Sequence, residues 1–312
     1  MPGVNRCYTV LMKNTIIAIL GLALIGVAVY FLTDGFKGKD VELEPREEIT
    51  VDEVNVPYTA IGTSTESREI KAYTFGEGDK TLVYVGAMHG GYEWNSALLS
   101  YALIDYLQGN PERIPSDVRV VVIPVANPDG LAKVVGTSDR FKVSDAPQFD
   151  YADEVEITSI VVQGRFNANG VDLNRNFDCK WQPEAIWRTN KVSAGSSAFS
   201  EPEARALRDF LLKEKPEAVV FYHSASNGVF ASFCEGDALQ GTVDLLSAYS
   251  AASGYPRFDE YPYYEITGDV ADWLSTQNIP AITVELETHD VAEWEKNLAG
   301  VEAMFKLYST NN

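Results

Sequence analysis

The sequence predicts an α/β protein: a mixed, mostly parallel twisted sheet with helices on both faces, preceded by one N-terminal transmembrane helix. Short β-branched runs recur along the chain, and helical patterns separate them. That alternation is the signature of a sheet covered on both sides. Near the N-terminus lies an uncharged stretch of 18 residues, of a different kind from everything after it.

Taken in order, residues 1–14 form a short tail. Residues 15–32 carry no charge, and as a helix they span roughly 27 Å, close to the bilayer core. They read as an anchor, with Arg6 and Lys13 keeping the tail cytoplasmic. A cleaved signal segment is the alternative, although Tyr30, Phe31 and Leu32 leave no clear small-residue cleavage site. Either reading puts the remainder outside the cytoplasm, membrane-anchored or secreted. Residues 33–55 are rich in Asp, Glu and Lys without an apolar period and read as a solvated stalk.

From Val56 onward the pattern is globular. Buried strands are expected at residues 81–86, 118–124, 218–222 and 281–285, all short and rich in β-branched residues. Helices are expected at 94–107, 200–212 and 292–308. Ser200 and Glu203 have the spacing of a capping box at the start of the second helix.

With 45 acidic and 25 basic residues, the formal net charge is −20. That balance argues against nucleic acid as a partner, because phosphate binding needs a positive face. Of the three cysteines, Cys7 precedes the apolar stretch. This leaves Cys179 and Cys234 as a pair in an oxidising compartment. A disulfide is expected between them, with two separate buried thiols as the alternative.

The chain has only three histidines. His89 follows one expected strand and opens His89-Gly90-Gly91-Tyr92-Glu93, His223 follows another, and Glu285 ends a third. Ligands of open α/β sheets bind beyond the carboxyl ends of strands, so these groups converge on one edge. His89, Glu93 and His223 make a three-ligand set for one zinc ion that keeps a position open, the arrangement of a catalytic site. His289 has no partner at ligand spacing and reads as a loop residue.

The motifs stand in an order that resembles the zinc carboxypeptidase (metallocarboxypeptidase) family over roughly residues 56–310. They are His89 with Glu93, Asn127-Pro128-Asp129-Gly130, Asp172-Leu173-Asn174-Arg175-Asn176-Phe177, Ser200-Glu201-Pro202-Glu203, His223-Ser224 and Val284-Glu285-Leu286. Each is weak alone, and six in sequence are specific. One departure is that the family usually spaces its first His and Glu by three, whereas here the gap is four. Tyr92 therefore reads as an inserted residue, a change to the local backbone rather than to the ligand.

The resemblance implies a zinc carboxypeptidase-like fold for residues 56–312 and hydrolysis of peptide bonds at a free C-terminus. It makes Glu285 the general base, with Glu287 as a competing residue two positions on. It gives Arg165 the stabilisation of the oxyanion, and Asn174 with Arg175 the binding of the substrate carboxylate, a role that suits a planar guanidinium. Tyr264, eight residues before Asp272, matches the tyrosine that closes over substrate. Ala271 falls where the family often sets side-chain preference. Its small neutral side chain argues against a simple pocket for basic residues, although Asp269 nearby could attract a cation.

The expected partner is therefore a peptide with a free carboxylate. An amidase acting on cell-wall (peptidoglycan) peptides shares these features and is the main alternative, and a small deacylase is a weaker one. A peptide-binding pseudoenzyme lacking turnover is disfavoured because Glu285 and Arg165 are both present. A purely structural module would give these groups no reason to converge.

Overall fold

The computed structural model describes residues 56–147 and 159–310. The expected tail, apolar span and stalk lie outside the described residues. Among the described residues no helix is long and apolar enough to cross a membrane.

Ten strands form in chain order: β1 (Tyr58–Thr63), β2 (Glu69–Phe75), β3 (Lys80–Val85), β4 (Val118–Ile123), β5 (Glu184–Trp187), β6 (Asn190–Ser193), β7 (Ala218–Ser224), β8 (Gly228–Ala231), β9 (Arg257–Phe258) and β10 (Ala281–Leu286). Eight of them build one sheet in the order β1-β2-β4-β3-β7-β10-β8-β9. Its centre, β4-β3-β7-β10, is parallel. β1 pairs antiparallel with β2, β2 with β4 and β8 with β10, while β9 lies parallel to β8 at the edge, so the sheet is mixed around a parallel core. β5 and β6 form a separate hairpin.

The helices are α1 (Trp94–Gly109), α2 (Pro128–Val135), α3 (Ile160–Gln163), α4 (Pro202–Glu214), α5 (Gln240–Ser253), α6 (Val270–Thr276) and α7 (Trp294–Tyr308). Strand alternation decides which helix meets which face. Leu82, Tyr84, Val120 and Val122 pack with Leu98 of α1, Leu246 of α5 and Met304 of α7. Val83, Val85, Val121 and Ile123 point the other way, onto Leu207 of α4 and Trp273 of α6. A third, smaller cluster joins the β5–β6 hairpin to Tyr92 and Phe166. Both faces of the central strands are buried, which explains their unbroken apolar runs.

The four expected strands and three expected helices all form, within a few residues of their expected limits. The capping box does not. Helix α4 begins one residue later than Ser200 allows, with Glu201 at its N-cap and no side-chain cap bond. Ser200 Oγ instead donates to Glu201 Oε1 at 2.7 Å, and Glu203 accepts from Thr65 N at 2.8 Å and Asn167 Nδ2 at 3.1 Å. A proline at the first helical position already presets the turn, which frees both side chains for tertiary bonds.

Cys179 and Cys234 are joined by a disulfide, with Cα atoms 5.5 Å apart. This separation lies in the ordinary range. The bond ties the segment after Arg175 to the region beyond β8.

Candidate metal centre and substrate cleft

The site grows from the carboxyl ends of β3, β7 and β10. After β3 the chain must turn sharply to bring Glu93 back beneath His89. Gly90 permits this with φ +45°, and a Cβ there would lie 2.8 Å from Gly130 Cα. Only glycine fits so close an approach at that backbone angle. Residues Gly90–Glu93 then form a single 3₁₀ turn leading into α1.

That turn brings His89 Nδ1 to 2.7 Å from Glu93 Oε1. From β7, His223 Nδ1 stands 2.9 Å from Glu93 Oε2 and 3.1 Å from His89 Nδ1. All three residues are buried. Ligands at 2.0–2.1 Å from a tetrahedral zinc stand about 3.4 Å apart, so the set is slightly tighter than, and fits, one such ion. Two imidazoles and a carboxylate converging on one point are a donor set that suits zinc. Burial opposes ionisation of Glu93, but the two imidazoles hold its carboxyl well below the ordinary range. A deprotonated carboxylate is the form a metal needs. The four-residue gap is thus accommodated without loss of convergence.

Asp172 lies behind His89, with Oδ1 3.3 Å from His89 Nε2, near enough for ion pairing although not aligned as a hydrogen bond. Its other oxygen accepts from Arg165 Nε at 2.8 Å. Burial raises the Asp172 pKa, yet Arg165 and His89 outweigh it and keep the group ionised. Arg165 is itself buried, 3.8 Å from Glu93 Oε1, with its guanidinium 4.6 Å from the centre of the Trp187 ring.

Tyr92 is a wall of the site. It is buried and packs edge-on to Trp187 at 5.3 Å and tilted against His289 at 4.6 Å. His289 is therefore more than a loop residue. Its Nδ1 is 2.9 Å from Ser224 Oγ, which donates to Asn95 Oδ1 at 2.9 Å. Burial holds the His289 pKa down at about 4.

On the far side, Glu285 of β10 is the register partner of His223. It keeps a partly exposed face on the cleft, with Oε2 accepting from Ser226 N at 3.2 Å. Enclosure of the carboxyl, reinforced by the Glu93 charge, pushes its pKa up to about 8. Glu287, the competing residue, lies past the strand end and faces Lys296 at 3.4 Å, away from the cleft.

Asn174 and Arg175 follow Asp172. Asn174 Nδ2 donates to Asp269 Oδ2 at 2.6 Å. Arg175 is buried and donates only to the carbonyl oxygens of Asn174 at 2.7 Å and Ile186 at 3.3 Å. Among the described residues no carboxylate pairs with it. Gly268 makes this packing possible, since a Cβ there would sit 2.1 Å from Arg175 O. Deeper in, Asp272 accepts from Phe233 N at 3.0 Å. Burial, and then Asp269, raise its pKa well above the carboxylate range. Ala271 is buried beside them without lining the cleft.

One cleft of about 270 Å³ is lined by His89, Glu93, His223, Arg165, Arg175 and Glu285, with Asn174, Asp269 and Asp272 beside them. Tyr264 lines it too, its ring 5.0 Å from Tyr261 in an edge-on pair. Sequence reasoning missed Asp172, Trp187 and Ser224 as parts of the site. Asp172 carried a signal, as an acidic residue three positions before Arg175 in the same motif. Trp187 carried none.

Fold and site together define an α/β protein with a buried set of two histidines and one carboxylate suited to a metal ion. The family model described as zinc carboxypeptidase matches residues 54–298. The chain belongs to the zinc carboxypeptidase family, whose members use zinc. It is 28% identical over 260 residues to bacteriocin BCN5 of Clostridium perfringens, covering 75% of this chain and 24% of that protein. It is 23% identical over 245 residues to γ-D-glutamyl-L-diamino acid endopeptidase 1 of Lysinibacillus sphaericus, covering 73% of this chain and 60% of that one. The chain thus spans less than two thirds of either relative. Among solved structures, murein-tripeptide amidase from Escherichia coli O157 superposes with a TM-score of 0.58 at 21% identity, over 86% of this chain and 98% of that one. This likeness is one of fold.

Proposed function

We propose that the protein hydrolyses peptide bonds next to a free C-terminal carboxylate, as a zinc metallocarboxypeptidase. The observation that carries this reading is Arg175, a buried guanidinium on the cleft wall held only by backbone carbonyls. A buried cation needs an anion, and a carboxylate binds its planar fork in two-point fashion.

His89, Glu93 and His223 hold the ion. Zinc, when bound, supplies Lewis-acid polarisation and lowers the pKa of a water ligand towards about 7. Glu285 takes the proton of the attacking water and returns it to the leaving amine. Its register pairing with His223 sets it beside the metal set, where one carboxylate can serve both halves of that transfer. Arg165, fixed by Asp172, stabilises the oxyanion. Asn174 and Arg175 orient the terminal carboxylate, and Tyr264 closes over the substrate. Asp172 fixes the orientation of His89.

A narrower reading is supported by the relatives that are a γ-D-glutamyl-L-diamino acid endopeptidase and a murein-tripeptide amidase. On it the natural substrates are cell-wall peptides. It fits a chain held outside the cytoplasm by residues 15–32, or secreted if that segment is cleaved, which we also propose. A digest of a peptide library together with muropeptides, read by mass, tests both readings. Loss of single C-terminal residues from general peptides supports carboxypeptidase action. Cleavage confined to muropeptides supports the amidase, and no cleavage of either set overturns the hydrolase reading.

A further inference from the structure

We propose that Arg188 recognises a negative charge on the acyl side of the scissile bond, so that the residue preceding the cleaved bond is acidic. The inference rests on the C-terminal hydrolysis proposed above.

Arg188 sits at the tip of the β5–β6 hairpin. Trp187 and Asn190 are register partners, so Arg188 and Thr189 form a two-residue turn. The first position of such turns requires positive φ and favours Gly, Asn or Asp. Here it holds arginine at φ 55°. A long side chain in a conformation suited to glycine is strained, and such strain clusters at functional sites.

The side chain has no structural partner that explains it. Every other arginine among the described residues has a carboxylate or backbone carbonyl within reach. Arg188 has neither a hydrogen bond nor an ion pair there. Its guanidinium lies over the Trp187 ring, 5.6 Å from the centroid, and it borders the cleft. Trp187 thus carries Arg165 on its ring at 4.6 Å and Arg188 at 5.6 Å. In a chain of net charge −20, an unneutralised arginine at the cleft mouth is a local exception that attracts anions.

The side of the cleft follows from how the hairpin packs. Trp187, whose ring carries both Arg165 and Arg188, packs edge-on to Tyr92 at 5.3 Å, next to Glu93 of the metal set, and Tyr92 lies against His289 at 4.6 Å. The floor at Asp272 is held instead by Phe233 N, beyond β8. Arg188 therefore faces the acyl half of a substrate whose terminal carboxylate lies at Arg175. An acidic side chain, or the free α-carboxylate of a γ-linked glutamyl residue, offers the same chemistry there.

The test uses two peptide libraries with a randomised C-terminal residue. One has glutamate and the other glutamine at the preceding position. A third substrate set with γ-linked glutamate separates the two sources of charge. The wild-type enzyme is expected to favour glutamate about tenfold in kcat/KM, the size of one charge-assisted bond. In R188G that preference collapses, while the melting temperature holds or rises because glycine relieves the turn. Equal rates on both libraries in the wild type overturn the inference. So does an equal loss on both in R188G. If the wild type releases no C-terminal residue from any set, the hydrolysis reading itself falls, and this inference with it.

Discussion

His223 and Glu285 are register partners on adjacent parallel strands, β7 and β10. Neighbours in register present their side chains on the same face of a sheet. A residue of the metal set and the proposed base are therefore fixed relative to each other by backbone hydrogen bonds rather than by flexible loops. The consequence is testable. E285Q is expected to retain one zinc per chain and lose turnover by about 10²–10⁴-fold. Elemental analysis and steady-state kinetics on the same sample check this, and native turnover in E285Q would remove Glu285 from the chemistry.

Asp172 joins the metal set to Arg165. It lies 3.3 Å from His89 Nε2 and accepts from Arg165 Nε at 2.8 Å. In D172N the imidazole loses its charged neighbour, and zinc affinity is expected to fall about 10–100-fold. Competition with a chromophoric chelator measures the loss. Circular dichroism confirms that the fold survives, and unchanged affinity would reduce Asp172 to a partner of Arg165 alone.

For the carboxylate clamp, R175A should lower kcat/KM on free-acid peptides far more than on the same peptides with amidated C-termini. The buried guanidinium has no carboxylate of its own among the described residues, so substrate supplies the charge. Equal losses on the two peptide forms would contradict that role.

The disulfide closes a loop between residues separated by 55 positions. Loop-closure entropy for a loop of that length is worth about 4 kcal/mol, and measured effects are commonly about 2–4 kcal/mol. Replacing both cysteines by alanine is expected to lower unfolding free energy by that order in urea titrations. A change below about 0.5 kcal/mol would mean the bond constrains a region already held by packing.

His289 makes stability depend on acid. Its folded pKa is about 4 because burial disfavours the charged ring, against an ordinary value near 6.5. The unfolded chain binds the proton more readily, so stability is full above about pH 6.5 and falls as pH drops through 4. H289Q should lose less stability than wild type between pH 7 and pH 4.5, in parallel urea titrations.

The parts legible in the sequence are those with a strong local signature. β3, β4, β7 and β10 are buried on both faces, so their apolar runs are continuous. β1 and β9 are edge strands with mostly exposed or half-exposed residues, and they gave no such run. Helix α5 was missed because Gln240–Ser253 has small polar residues among its apolar ones. The metal set was legible because histidines are so few. Trp187 was not, because its place depends on how a separate hairpin folds over the cleft. Tyr92 looked like an extra residue, and only packing revealed it as the wall between Trp187 and His289. The Ser200–Glu203 pair misled, since Glu201 takes the N-cap and a proline presets the first turn.

The most direct test of the central claim is mass analysis of one peptide in free-acid and C-terminally amidated forms, incubated with zinc-loaded enzyme and with a chelator. Loss of the C-terminal residue is expected from the free acid alone, abolished by chelation and restored by added zinc. Release from both forms at the same rate, or release that survives full metal removal, would contradict it.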